Sequence, residues 1–337
     1  MKIAIHHRPG SFSDRWIEYC KEKSIEYMIV NAYDSNIIEQ VKECDAFMWH
    51  HHHSNVKDTL FAKQLIYSLE TAGIRCFPDF HTVWHFDDKV GQKYLLEAIG
   101  APLVPSYVFY TKKDALDWIE HTGFPKVFKL RGGAGSKNVM LVHNQKEARR
   151  LVKKAFGKGF SQTSISSVVS EDIRKFKEGQ IPFLRIIKDL TLYYLKPDGF
   201  HKNHAPEKGY VYFQDFIPNN TTDFRVKVVG DNCWAFQRCV RKDDFRASGS
   251  GKLIFDNTKI PVELVNIAQH TARKLGTQSA AFDFIYDKEQ KAYLIVELSY
   301  GFGFDANEIN NGYWDKNGAF HSEIFNPFGW MVNTILG

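Results

Sequence analysis

Cysteine is scarce in this chain of 337 residues: Cys20, Cys44, Cys76, Cys233 and Cys239 are odd in number and form no Cys-x-x-Cys pair. That disfavours a disulfide framework and a cysteine zinc site, and the thiols read as reduced and buried. Long apolar runs are missing too, and no window approaches the roughly 18 apolar residues of a membrane-spanning helix. The opening Met-Lys-Ile-Ala-Ile-His-His turns polar by His6, without the apolar stretch of about 7–15 residues that a secretory signal needs. A cytoplasmic protein with no membrane partner is therefore expected. Net charge is only +5, with 44 basic and 39 acidic residues interspersed. No clustered basic face is visible, so no nucleic-acid partner is expected, only a modest preference for anionic ligands.

What the chain does carry is apolar material: 44% hydrophobic and 15% aromatic residues, enough for two or three domains of about 100–200 residues each. Strands and helices alternate at first. Lys2–His6, Glu26–Val30, Ala46–Trp49 and Arg75–Phe77 read as strands. Ser13–Lys23 with Ser13 as its cap, Asn36–Glu43, and Lys57–Thr71 stopped by Gly73 read as helices. This alternation predicts a parallel α/β sheet with ligands beyond its C-terminal strand ends. Helix Asp88–Ile99, strand Tyr107–Tyr110, helix Lys113–His121, strands Lys126–Arg131 and Val139–Val142, and helix Lys146–Phe156 follow. Ser161–Ser170 reads as a loop, and Leu184–Leu195, rich in β-branched residues, as two strands. After Gly209 come strands Tyr210–Phe213, Arg225–Val229 and Trp234–Arg238, helix Val262–Leu275, and a hairpin of Ala280–Tyr286 with Tyr293–Leu298.

Three segments carry chemistry. In Lys126–Val142 (KVFKLRGGAGSKNVMLV) a strand bearing Lys129 runs into a loop with Gly132, Gly133, Gly135 and Ser136. Glycines let successive N–H groups approach phosphate oxygens, and a lysine adds the positive charge a triphosphate needs. The order of elements excludes a Walker A loop; a flexible hairpin turn is the plainer alternative. Asp283 and Glu297 lie on consecutive apolar strands, where an acid is costly unless paired or bound to a hard cation such as Mg²⁺. Ser299, two residues beyond Glu297, shares its face and could add a hydroxyl ligand, with a pair of structural salt bridges as the plainer alternative. Asp223–Gly251 places Arg225, Arg238, Arg241 and Arg246 among apolar residues, an arrangement suited to carboxylates or phosphates. Two further features stay open. His50–His53 follows a predicted strand end and is either an anionic-substrate site or a polar surface loop; Gly312–Trp330 is either an aromatic pocket wall or a packed strap.

In this order the motifs resemble the ATP-grasp superfamily, with the bacterial glutathione synthetases and the ligases that add glutamate to a protein tail as the most similar branch. The likeness runs from about Asp88 to Gly303. Asp88–Leu95 (DKVGQKYL) is similar to the helix whose lysine reaches phosphate, Lys89 here, and Lys129 matches the second nucleotide lysine. Gly132, Gly133, Gly135 and Ser136 look like the loop that covers the triphosphate. Gln214, Asp215, Phe216 and Ile217 look like the hinge whose backbone reads adenine, and Asp223 matches an acid near the ribose. Asp223-Phe224-Arg225 and Asp244-Phe245-Arg246-Ala247-Ser248 are similar to paired arginine segments, the second ending in Ser248 where the family has Asn. Asp283 and Glu297 fall where the family holds Mg²⁺ (or Mn²⁺), and Ser299 replaces a usual Asn, which implies weaker metal binding. The stretch from about Lys158 to Lys208 has no counterpart.

The resemblance implies a parallel α/β domain over 1–87, then a two-lobed α+β ATP-grasp domain: a central lobe over 88–208 and a C-terminal lobe over 209–337. It implies ATP-dependent ligation of a small-molecule carboxylate to an amine through an acyl phosphate, with Arg225, Arg238 or Arg241 stabilising that intermediate. A small-molecule kinase and a non-catalytic nucleotide-binding protein are the alternatives, and a homodimer is compatible with any of them. The acid and the amine are not named by the sequence.

Overall fold

The structure is a computed structural model, in which residues 1–133, 138–161, 169, 172–173, 176, 181–195, 205–241 and 244–337 are described. The chain divides into two compact units: Met1–Phe86 with Gly91–Leu103 and Ile217–Gly337, and Asp87–Val90 with Val104–Phe216.

Within the first unit, β1 (Lys2–His6), β2 (Glu26–Val30), β3 (Ala46–Trp49) and β4 (Arg75–Phe77) form a parallel sheet in the order β2-β1-β3-β4. β1 and β3 are near-continuous apolar runs because both faces of the sheet are covered. One face, with Ala4, Phe47 and Trp49, packs on Leu65, Ile66 and Leu69 of helix Val56–Thr71. The other, with Ile3, Ile5, Met48 and Phe77, packs on Trp16 and on Phe328, Met331, Val332 and Ile335 of the last helix, Pro327–Leu336. The aromatic tail is thus a packed strap: Phe325 and Phe328 are buried in the core of the N-terminal sheet. Helix Phe12–Glu22 departs from expectation in its cap. Ser11, extended at φ −107°, accepts from the Ser13 amide. Ser13 instead lies buried inside the first turn, accepting from the Arg8 amide at 3.0 Å.

The second unit is built on an antiparallel sheet of β5 (Ser106–Phe109), β6 (Lys126–Lys129), β7 (Val139–Val142) and β8 (Val211–Asp215), in the order β5-β8-β6-β7. Phe109, Phe128, Val211 and Phe213 share one face and pack on Ala115 and Ile119 of helix Lys112–His121, and on Ala148 and Val152 of helix Gln145–Ala155. Phe183–Leu195, expected as two strands, is one α-helix. Ile186 is buried, Asp189 and Leu190 are half-buried, and Arg185 pairs with Asp189 at 2.9 Å. Inward spacing of three and four, with an ion pair at i,i+4, outweighs the β-branched composition. The loop expected over Ser161–Ser170 lies almost wholly outside the described residues.

The first unit also contains β9 (Thr222–Val229), β10 (Asn232–Cys239), β11 (Leu253–Ile254), β12 (Ser279–Asp287), β13 (Ala292–Ser299), β14 (Tyr313–Trp314) and β15 (Phe320–His321). They form a seven-stranded sheet ordered β13-β12-β9-β10-β14-β15, with β11 on β10. Helix Val262–Leu275 covers one face, its Leu264, Val265, Ala268 and Ala272 packing with Val226, Val228, Phe282, Phe284 and Leu298. Gly276, left-handed at φ 62°, ends that helix. Among the described residues no helix is long and apolar enough to cross a membrane.

Candidate functional site: two polar sheet faces

Strand alternation sends every second side chain of the seven-stranded sheet away from helix Val262–Leu275. On β9 these are Asp223, Arg225 and Lys227. Register then fixes their neighbours. Asp283 of β12 stands opposite Arg225 on one side and Glu297 of β13 on the other; Arg238 of β10 stands opposite Asp223. Ser299 lies opposite Ala281, on the same face as Glu297. The residues expected to hold metal and acyl phosphate, Arg241 excepted, are therefore drawn onto one face by antiparallel pairing. A bulge between Asp283 and Phe284 shifts the β12–β13 register just past this point.

The charges on this face are tightly paired. Arg225 donates from Nε to Asp283 Oδ1 at 2.7 Å and from Nη2 to Oδ2 at 2.8 Å. Arg238 makes the same fork to Asp223, at 2.8 and 2.5 Å, and also reaches Asp283 at 2.8 Å. Burial opposes ionisation of Asp283, but Arg225 and Arg238 outweigh it and hold this carboxyl well below the usual range. Burial instead leaves Asp223 above its ordinary value, against the pull of Arg238. Next along β9, Lys227 is fully buried, bonded to Glu308 at 2.6 and 2.7 Å and to the Gly303 carbonyl at 2.7 Å. Burial lowers its ammonium to about 8 despite Glu308. Trp234 also donates to Glu308, at 2.6 Å. Sequence reading passed over Lys227, although its place two residues after Arg225 was a sufficient signal. Glu308 comes from a distant capping box with Asp305 and carried no such signal.

Arg241 and Arg246 occupy a loop after β10. Arg241 Nε donates to the Ser248 carbonyl at 2.8 Å, and its guanidinium lies so close to Gly249 that an added Cβ would meet Nη2 at 2.5 Å. Arg246 forks onto Asp244, donating from Nε to Oδ1 at 3.0 Å and from Nη2 to Oδ2 at 2.6 Å. Ala247 is buried.

The second unit has its own polar face, opposite Phe128 and Phe213. Lys129 Nζ donates to Gln214 Oε1 at 2.6 Å, Gln214 Nε2 to Ser106 Oγ at 3.1 Å, and the Tyr212 hydroxyl to the same Ser106 Oγ at 2.9 Å. All four are buried. Ser106 and Tyr212 were not foreseen, because only strand pairing reveals that they share a face with Lys129. Asp215, one residue on from Gln214, points to the other face and pairs with Lys126 at 2.5 Å. Phe216 and Ile217 follow the end of β8 and are half-buried.

At the glycine loop, the buried Lys89 donates to the Gly133 carbonyl at 2.8 Å. The Arg131 and Gly132 amides donate to Glu207 at 3.0 and 3.2 Å, and the Gly133 amide to Asp87 Oδ1 at 2.8 Å. Three successive amides thus each meet a carboxylate oxygen, and Gly133, at φ 104°, can adopt the required turn. These N–H groups are arranged to receive oxyanions. Gly135 and Ser136 lie outside the described residues.

A model of the carbamoyl-phosphate synthase L chain, ATP binding domain, matches residues 88–205. The RimK domain protein ATP-grasp of Sphaerobacter thermophilus is similar over 100% of both chains, at TM-score 0.59 and 15% identity. The chain has the ATP-grasp fold. N5-carboxyaminoimidazole ribonucleotide synthetase of Thermotoga maritima shares this ATP-grasp architecture at TM-score 0.59 and 16% identity, over 99% of this chain and 75% of that one. D-alanine–D-alanine ligase of Bacillus anthracis does so at TM-score 0.55 and 12% identity, over 99% and 96%. No curated protein matches in sequence.

Within this fold the donors suit a hard cation. Among the described residues no three His, Cys, Asp or Glu side chains converge into a ready-made metal cluster. Asp283, Glu297 and Ser299 offer oxygen only, the chemistry of Mg²⁺ held by one or two carboxylates and completed by nucleotide phosphates. The Ser299 hydroxyl donates to the Gly301 carbonyl at 2.8 Å, which leaves its oxygen able to accept or coordinate.

Proposed function

We propose that this protein is an ADP-forming ligase that activates a carboxylate as an acyl phosphate and couples it to an amine. One observation carries the reading: Arg225, Asp283 and Glu297 stand in register on one face of three adjacent strands. That combines a two-pronged cation with carboxylates suited to a hard metal. The polar face of Lys129 and Gln214, with Lys89 and the Gly132 and Gly133 amides, supports ATP as the nucleotide. Asp283, Glu297 and Ser299 would hold Mg²⁺, which when bound neutralises charge on the phosphates.

In this reading Lys89 and Lys129 hold phosphate oxygens, and Gln214 through Ile217, with Asp223 and Arg246 through Ser248, hold the nucleoside. The substrate carboxylate attacks the γ-phosphorus, ADP leaves, and the amine then displaces phosphate from the acyl carbon. Arg225 and Arg238, anchored by Asp283 and Asp223, present fixed N–H groups to the acyl phosphate oxygens; Arg241 is the third candidate. Such catalysis is positioning plus electrostatic stabilisation and needs no protein nucleophile. The test is ADP release with Mg-ATP, hydroxylamine and a panel of carboxylates. Hydroxamate formed in step with ADP supports a ligase, whereas a stable phosphorylated alcohol with no hydroxamate would replace it by a kinase.

A further inference from the structure

The histidine run does not take part in the chemistry above, and it is not a surface loop: His51 is 3% exposed and His50 is half-buried. Its place in the fold is specific. With the order β2-β1-β3-β4, the chain turns to one side after β1 and to the other after β3. Beyond the C-terminal ends of those two adjacent strands lies the topological switch point, where open α/β sheets take ligands. His6, the last residue of β1, pairs with Trp49, the last of β3. The segments that leave these strands, Arg8–Ser13 and His50–His53, therefore start level with each other.

These segments are joined. Arg8 Nη2 donates to the His50 carbonyl at 3.4 Å, and the Phe12 amide donates to His50 Nδ1 at 3.2 Å. The His50 ring stacks on Phe12, centroids 3.8 Å apart and planes 5° from parallel. A neutral imidazole that accepts at Nδ1 carries its proton on Nε2. That Nε2 lies 3.8 Å from where a Cβ on Gly301 would stand, so the donor faces the chain just beyond Glu297 and Ser299. The same stretch is tied to the run by Tyr300, whose hydroxyl donates to the His51 carbonyl at 2.5 Å.

The charges at this place do not balance. Of the nearby acids, Asp58 accepts from the Tyr33 hydroxyl at 2.5 Å and the His52 amide at 2.7 Å. Asp14 is held by His7 and the Gly10 amide, both at 2.7 Å. Among the described residues no carboxylate lies within 4.0 Å of the Arg8 guanidinium, and the buried Nε2 of His51 has no hydrogen-bond partner. A cluster built only for packing would not leave a buried imidazole nitrogen without a partner.

We propose that the switch point of the N-terminal sheet binds a carboxylate of the substrate through the Arg8 guanidinium and the His50 Nε2–H, with His51 beside them. This rests on the ligase reading only in calling the bound molecule a substrate. The substrate is then an acidic small molecule, and a side chain at Gly301 would press on Phe86, whose ring a Cβ would meet at 3.3 Å.

The probe is succinate, titrated without nucleotide against sodium chloride at matched ionic strength. The signal is fluorescence of Trp16 and Trp49, which neighbour His50 and His51 at 6.4 and 5.8 Å. Wild type should give a saturable change; Arg8→Gln should weaken it at least tenfold, and Arg8→Lys should recover part of it. His50→Gln should behave as Arg8→Gln if it folds, and Arg8, on a loop, gives the decisive variant if it does not. Mg-ATP affinity, measured by calorimetry on the same proteins, should not change. No saturable response in wild type, or an unchanged one in Arg8→Gln, would overturn the proposal. A succinate response in a protein that fails to bind Mg-ATP would sink the ligase reading and leave this site standing.

Discussion

Arg225 and Asp283 face each other in register across β9 and β12 and share two parallel charge-assisted hydrogen bonds, of 2.7 and 2.8 Å. The fork sets the guanidinium plane, which a lysine ammonium cannot copy. Arg225→Lys should therefore leave the fold and Mg-ATP affinity intact while lowering turnover by about 10²–10³, the usual cost of losing an oxyanion donor. Steady-state ADP release with a carboxylate substrate, beside a thermal melt, checks it. A change in turnover below about threefold would remove Arg225 from the mechanism.

Arg238 has a heavier structural role, because it is 5% exposed and bonded to both Asp223 and Asp283. Arg238→Met leaves two buried carboxylates short of a partner and should destabilise by about 3–5 kcal/mol. Urea unfolding reads the difference; a loss under about 1 kcal/mol would mean that solvent already screens the pair.

Glu207 holds the Gly132 amide that we assign to phosphate, together with the Arg131 amide before it. Nucleotide must displace that carboxylate, so Glu207→Gln should raise ATP affinity several-fold, while Lys129→Ala should lower it. Calorimetry with a non-hydrolysable ATP analogue measures both, and weaker binding in Glu207→Gln would show that Glu207 supports the loop rather than competes for it.

Oxygen-only ligands predict a metal requirement met by Mg²⁺ or Mn²⁺ and not by Zn²⁺. ADP release should vanish in excess EDTA and return with either of the first two ions. Persistent turnover in chelator would remove Asp283, Glu297 and Ser299 as metal ligands.

Burial, with Arg8 and His52 nearby, lowers His50 to about 3, and burial holds His51 well below its ordinary value. Between about pH 3 and pH 6.5 the unfolded chain binds protons that the folded one refuses. Stability should accordingly fall as pH drops through 6.5, and the loss should continue toward pH 3. Melts from pH 7.5 to 5 should show a decline that is shallower in His51→Gln; equal slopes would mean that these histidines already bind protons in the fold.

Alternation of apolar residues with turns and caps was enough, from the sequence, to place β1 to β10, helix Val262–Leu275 and the hairpin of β12 with β13, but not the two-residue strands β11, β14 and β15. Period-two spacing also put Glu297 and Ser299 on one face, because side chains on a strand have no other choice. Local signals failed where neighbours decide. Ser11 rather than Ser13 caps the first helix because Ser13 is drawn inward to Arg8. Phe183–Leu195 is helical because its inward contacts repeat every three and four residues. Ser106, Tyr212 and Glu308 could not be found by spacing, since only pairing between distant segments sets them beside Lys129 and Lys227. The sequence by itself determined which residues could bear charge. Which charges neutralise one another, as Arg225 does Asp283, and which have no acid beside them among the described residues, as with Arg8, was decided by tertiary structure, because pairing depends on distances of a few ångströms that strand register and loop packing set.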